Sequence, residues 1–263
     1  MTISKSQIKD LLDENREHEC DSFGEDICVR IAAIADLPTR FGDFQIVAFR
    51  NNRDNKEHVA IVHGDVCGGE EVLTRLHSEC LTGDALGSLR CDCRDQLQSS
   101  LETIAAEKQG IVLYLRQEGR GIGLVNKIRA YGLQDHGLDT VEANLALGFR
   151  DDEREYGVAA HMLASLKVKS IRLMTNNPRK IEDLEKHGVK VTERVPHVLP
   201  PNKHNAFYLK TKATKSGHFI DLNGYKHLME QDDRPILQGM DEDQIKVVES
   251  QTAPKSSNGS EAG

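Results

Sequence analysis

A chain of 263 residues has the length of one large domain with extensions, enough to bury a proper core. Its 34 Lys and Arg stand against 42 Asp and Glu, a net charge of −8 that excludes the strong basic bias of a dedicated nucleic-acid binder. No apolar run reaches membrane-spanning length and the N-terminus lacks the apolar region of a signal peptide. Six cysteines at this length do not make a secreted disulfide scaffold, so the expected setting is the reducing cytoplasm.

The first 29 residues hold eight acids against three Lys or Arg, as do residues 227–263, so the segment between carries a small positive excess. That balance suits a domain handling a polyanionic small molecule. Three parts are expected: an acidic N-terminal extension over 1–29, a catalytic domain over 30–223 and an acidic tail over 224–263. The extension predicts one short charged helix after Ser6, and the Ser/Gly-rich tail predicts disorder.

The middle opens with four β-branched, roughly alternating runs, VRIAAIADLPT, DFQIVAFRN, HVAIVHGDV and EVLTRLHSE, which predict an antiparallel sheet. The run HSECLTGDALGSLRCDC follows, with Cys80, Cys91 and Cys93 and no fourth thiol at a spacing that closes a structural zinc cage. Zinc on three protein ligands keeps a position open for water and lowers its pKa towards neutrality. Three unrelated buried thiols are the competing reading. His77-Ser78-Glu79 has the H-x-E form of nucleobase deaminases, but the later motif is C-x-C without proline and the surroundings predict strand, so a deaminase is rejected.

From Arg94 the period changes. DQLQSSLETIAAEK predicts a helix and GIVLYLRQ a buried strand. The segment EGRGIG then sets Glu118, Gly119 and Arg120 between that strand and a helix over roughly Ile122–Leu133. Glycines there admit close backbone approach and a helix N-terminus offers N–H groups to an anion, although a plain glycine turn reads the same way. It is neither a dinucleotide fingerprint nor a Walker loop. RDDEREY is expected to open a helix over Arg154–Leu166, where Asp151 and Asp152 suit the dipole and Arg154 is either a functional cation or a solvated one. SIRLMT predicts another buried strand, ending in Thr175 ahead of NPRKIEDLEKHG, a helix with Asn177 as N-cap, Pro178 in its first turn, and Lys180. VKVTERV predicts the last strand. Strand–helix alternation of this kind implies an α/β layered fold, with antiparallel strands first and alternating strands and helices after them.

RLHSECLTGDALGSLRCDC, LRQEGRGIGLVNKIRAYGLQD, LDTVEAN, DDER and LMTNNPRKIE followed by ERVP closely resemble the GTP cyclohydrolase II family, in order and at family spacing, from about Leu37 to Phe219. The resemblance implies a monofunctional enzyme of riboflavin biosynthesis that converts GTP to formate, pyrophosphate and 2,5-diamino-6-(5-phosphoribosylamino)pyrimidin-4(3H)-one, as a homodimer. It implies zinc on Cys80, Cys91 and Cys93, and Mg2+ with the triphosphate. It implies GTP contacts from Arg75, Leu76, His77, Ser78, Glu79, Gln96, Glu118, Gly119, Arg120, Thr140, Thr175 and Lys180. Asp152 is implied as proton acceptor, Arg154 as nucleophile or phosphate clamp, and Tyr131 as a group at the purine. Cys67 lies outside the motif and is expected to be incidental. A paralogue with a related ring-opening reaction would have been favoured by loss of the tyrosine, and a non-enzymatic nucleotide binder by loss of a cysteine or of Arg154. All of these are present.

Overall fold

The computed structural model describes residues 2–16, 27–221, 223–225 and 228. Apart from residues 224, 225 and 228, the expected disordered tail lies outside the described residues. A seven-stranded mixed sheet organises the rest, in the order β1-β2-β3-β5-β4-β6-β7. Strands β1 (Val29–Thr39), β2 (Gly42–Asn51) and β3 (Val59–His63) form an antiparallel meander, and β3 pairs antiparallel with β5 (Gly110–Leu115). Beyond β5 the sheet is parallel, through β4 (Val72–Ser78), β6 (Ile171–Met174) and β7 (Val191–Val195).

The fourth strand therefore departs from the expected all-antiparallel opening. Val72-Leu73-Thr74-Arg75-Leu76-His77 is buried at every position, the pattern of a strand covered on both faces. Alternation in β5 divides those faces. Ile111, Leu113 and Leu115 join a core with Met162 and Leu163 of α5 (Gly157–Ser165) and Leu184 of α6 (Pro178–Lys186). Val112 points the other way, to Leu101 and Ile104 of α2 (Cys93–Ala105). The N-terminal helix α1 (Lys5–Arg16) belongs to the larger core through Ile3, just before it, and Leu11. Gln45 accepts from the Ile3 amide at 3.1 Å, and Asn15 accepts from the Ile31 amide at 2.8 Å.

Helix α3 (Gly123–Asp135) starts close to the expected position, and α6 has the expected Asn177 cap, whose side chain accepts from the Arg179 amide. Helix α5 starts at Gly157 rather than Arg154. The donors of 151–156 are taken sideways: Arg154 N donates to Asp152 Oδ1 at 3.1 Å, Glu153 N to Arg120 O at 3.0 Å and Tyr156 N to Asp183 Oδ2 at 2.7 Å. An aspartate that caps its own backbone competes with helix there. Two further helices were not expected from the sequence, α4 (Thr140–Ala146) and α7 (Ala206–Thr214). No helix among the described residues is long and apolar enough to cross a membrane.

Candidate active site

The loops that leave the carboxyl ends of β4, β5 and β6 meet over the parallel half of the sheet, the usual ligand position in such folds. After β4 the backbone makes a single π-helical turn, Leu81–Ala85, with Cys80 capping it through its sulfur. Asp84 in that turn accepts from His77 Nε2 at 3.0 Å, the Cys80 amide at 3.0 Å and the Tyr114 hydroxyl at 2.8 Å. Three elements are thereby pinned to one carboxylate. Burial holds the His77 imidazole below its ordinary pKa despite Asp84, so the neutral ring donates from Nε2 and leaves Nδ1 buried without a partner.

The turn carries Cys80 towards Cys91 and Cys93 at the start of α2, and the three sulfurs lie within 4.8 Å of one another. Cys80 Sγ and Cys91 Sγ are 3.7 Å apart, close to the roughly 3.8 Å separation of two thiolates on a tetrahedral Zn2+ with ~2.3 Å bonds. Gly83 makes this approach feasible: a Cβ there would stand 2.7 Å from Cys91 Sγ and 3.1 Å from Cys80 Sγ. Lys127 of α3 donates to Cys80 Sγ at 3.0 Å and to Glu118 Oε1 at 2.8 Å. Three thiolates around a divalent ion leave one surplus negative charge, and the buried Lys127 ammonium offsets it. Hydrogen bonds from Cys91 and Cys93, then the Lys127 charge, push the Cys80 thiol far below its usual range. The donor set fits a soft divalent metal.

Sequence reasoning missed Lys127 and Asp84, because neither has a recognisable spacing to the cysteines. Glu118 is where the motif puts it, but both its oxygens are engaged: Oε1 by Lys127 and the Gly119 amide, Oε2 by the Leu81 amide at 2.6 Å. It braces the cysteine turn. Tyr131 faces the same space, with its hydroxyl 3.3 Å from Thr82 Oγ1, Arg90 stacked 4.9 Å from its ring centre, and its pKa pushed up to about 12 by burial. Thr140, at the first turn of α4, completes that wall.

The other end of the cleft is cationic. Arg75, Arg120, Arg154 and Lys180 line it together with His77, Gln96 and Thr175. Ser78, Cys93, Arg120 and Arg154 border both ends, which makes one continuous cleft. Arg154 grips Asp152 at two points, 2.8 and 2.5 Å, and reaches Ser78 Oγ at 3.4 Å. Burial would raise the Asp152 carboxyl, but the bonds from Arg154 outweigh it and bring the pKa to about 2. Arg154 is raised in turn, burial being outweighed by Tyr156 and Asp152. Arg120 sits in the left-handed region at φ 59° and pairs with Asp151. Lys180 donates to Leu76 O at 2.7 Å, and burial beside Arg75 and Arg154 holds it well below the usual lysine range. Arg75 bonds Met174 O at 2.9 Å and the Gln96 side chain, leaving its buried Nε unpartnered. Buried cations in excess and orphaned polar atoms facing a cleft are the signature of a site built for an anion.

The sequence model of the family described as GTP cyclohydrolase II matches residues 29–196. The chain belongs to that family. The GTP cyclohydrolase-2 of Picrophilus torridus is 57% identical over 186 residues, covering 71% of this chain and 96% of that relative. That of Aeromonas hydrophila is 58% identical over 192 residues, covering 73% and 98%. The riboflavin biosynthesis protein RibBA of Bacillus mycoides is 52% identical over 220 residues, covering 84% of this chain and 54% of the longer relative.

Within this GTP cyclohydrolase II chain, not every residue implied by the motifs turns its side chain to the cleft. The Leu76 side chain is fully buried in the core, and only its carbonyl, held by Lys180, borders the site. Asp152 lies behind Arg154 and faces an outer depression with Arg179, 3.9 Å away. Glu79 borders the thiol end, 3.5 Å from Arg116. Cys67 packs half-buried against the main core, with its thiol pushed up by burial.

Proposed function

We propose that this chain hydrolyses GTP to formate, pyrophosphate and 2,5-diamino-6-(5-phosphoribosylamino)pyrimidin-4(3H)-one in riboflavin biosynthesis. The observation that carries the proposal is one cleft with a three-thiolate cluster at one end and a buried cation cluster at the other. Cys80, Cys91 and Cys93 would hold Zn2+, which when bound supplies an activated water for attack on an amidine-like carbon. The purine C8 is such a carbon, and its hydrolysis opens the imidazole ring before a second hydrolysis releases formate.

The remaining work falls to the chain's own residues. Tyr131, protonated at working pH, offers a hydrogen-bond donor beside the ring rather than a base. Arg75, Arg120, Arg154 and Lys180 neutralise the triphosphate, to which Mg2+ also binds, and so stabilise charge developing as pyrophosphate departs. A polyanion among them returns the suppressed Lys180 to its charged form. Arg154, held cationic by its buried aspartate, suits a phosphate clamp better than a nucleophile.

The reading includes a cytoplasmic homodimer. Exposed Leu124, Val125 and Ile128 on α3 supply an apolar face for a second copy.

Purified protein given GTP, Zn2+ and Mg2+ is expected to release formate and pyrophosphate together with the diaminopyrimidine. Binding of GTP without turnover, or a product that keeps the formyl carbon, would overturn the proposal.

A further inference from the structure

The family match ends at residue 196, but the cleft does not. Helix α7 and the segment after it run across the cationic end, where Tyr208, Lys212, His218 and Ile220 share the wall with Arg75, Arg120, Arg154 and Lys180. The segment is fastened at several points. Lys215 pairs with Asp139 and, at 3.0 Å, with Glu142. Ser216 Oγ donates to Asp151 Oδ2 at 3.0 Å, and the Phe219 amide donates to Asn176 O at 2.8 Å. Arg194 covers the Phe219 ring at 4.9 Å. Leu209 and Ala206 bury the inner face of α7. This is an ordered wall of the site.

Lys212 occupies that wall in an unusual state. Its side chain is 12% exposed, yet its ion-pair contact is a long one, 3.4 Å to Asp92 Oδ1. Asp92 already has a closer donor in Gln96 Nε2, at 2.5 Å on its other oxygen. The other neighbour of Lys212 is the face of the Tyr208 ring, 4.2 Å from Nζ. Asp92 and Tyr208 keep this buried ammonium charged despite its burial, and with its carboxylate contact at 3.4 Å beside three arginines it has room for a closer anionic partner. The His218 imidazole stands next to it without a side-chain hydrogen bond among the described residues.

We propose that Lys212, with His218 beside it, is a further substrate-binding residue of this site, a ligand for the triphosphate oxygens supplied by the C-terminal wall. The proposal rests on the GTP reading and adds residues that lie past residue 196, where the family match ends, and that no motif marked. Lys212 leaves Asp92 for the closer phosphate oxygens, and His218 contributes a ring N–H. Burial, then Lys212 and Arg154, hold His218 at about 3, so before substrate arrives it is neutral and adds no charge to the cluster.

The test compares wild type with Lys212→Gln, Lys212→Arg and His218→Gln. Its readouts are KM for GTP and the dissociation constants of inorganic tripolyphosphate and of guanosine by calorimetry, with zinc content and thermal unfolding measured beside them. Lys212→Gln is expected to raise the GTP KM and the tripolyphosphate constant about tenfold or more, the value of one charge-assisted hydrogen bond, and to leave the guanosine constant within about twofold. Lys212→Arg is expected to recover most of the loss, and His218→Gln to weaken tripolyphosphate about threefold with an unchanged melting temperature, the share of one neutral hydrogen bond. Equal losses for tripolyphosphate and guanosine would mean a structural role and overturn the proposal, as would no change in either. Wild type that turns over GTP while Lys212→Gln behaves identically sinks this inference alone. Wild type that releases no formate but binds tripolyphosphate through Lys212 sinks the GTP reading and leaves the anion site standing.

Discussion

Asp152 and Arg154 are two residues apart in sequence and form a buried two-point ion pair, with Asp152 8% exposed. Because the bonds from Arg154 bring the folded carboxyl to about 2, below its ordinary 3.8, it stabilises the fold while ionised. The stabilisation is full above the unfolded pKa and is lost as the pH falls through the folded one. The shift is worth about 2 kcal/mol, and about half of that is gone by pH 3. Asp152→Asn is therefore expected to destabilise the protein near neutral pH and to approach wild type as urea unfolding is repeated from pH 5 down to pH 3. A gap independent of pH would show that the ionised carboxylate is not what holds this loop. The same pair explains why the segment is not helical. DDER looks like a helix start from the sequence, but Asp152 bonds the Arg154 amide and the helix begins three residues later.

The turn between Cys80 and the C-x-C pair brings the three sulfurs together. Leu81–Ala85 winds as one π-helical turn whose Gly83 touches the cysteines so closely that a methyl group would enter their sulfur shells. Gly83→Ala must push Cys80 or Cys91 aside, and zinc retained after dialysis is expected to fall at least about tenfold while far-UV circular dichroism stays native. Undiminished zinc would contradict this packing. The three thiols were legible in the sequence because their types and order carry the chemistry, and Arg120, Thr175 and Lys180 stood out at strand ends, whereas Arg75, inside β4, came only from the family resemblance. Lys127 and Asp84 were not, since only the fold brings α3 and the turn together. Strand β4 was found but misread as antiparallel, because periodicity reports which faces are buried and not which way a neighbour runs. Helix α4, at seven residues, is too short to show a clear period, and α7 has no strong apolar stripe.

At the scale of the molecule, antiparallel strands and α1 build one side of the sheet, and the parallel strands present every functional loop on one edge. The two acidic ends carry the chain's net negative charge, while the buried cations sit where the cleft is. On the proposed reading the cleft divides its labour, thiolates for ring opening and cations for the phosphates. The most direct measurement supplies GTP labelled with 13C at C8 to wild type and to Cys91→Ser, following labelled formate by NMR and pyrophosphate by a coupled assay. Wild type is expected to release one formate per pyrophosphate, and Cys91→Ser to lose zinc and formate while still releasing pyrophosphate. A variant in which both products persist in the wild-type ratio, or in which both vanish together, would contradict the division.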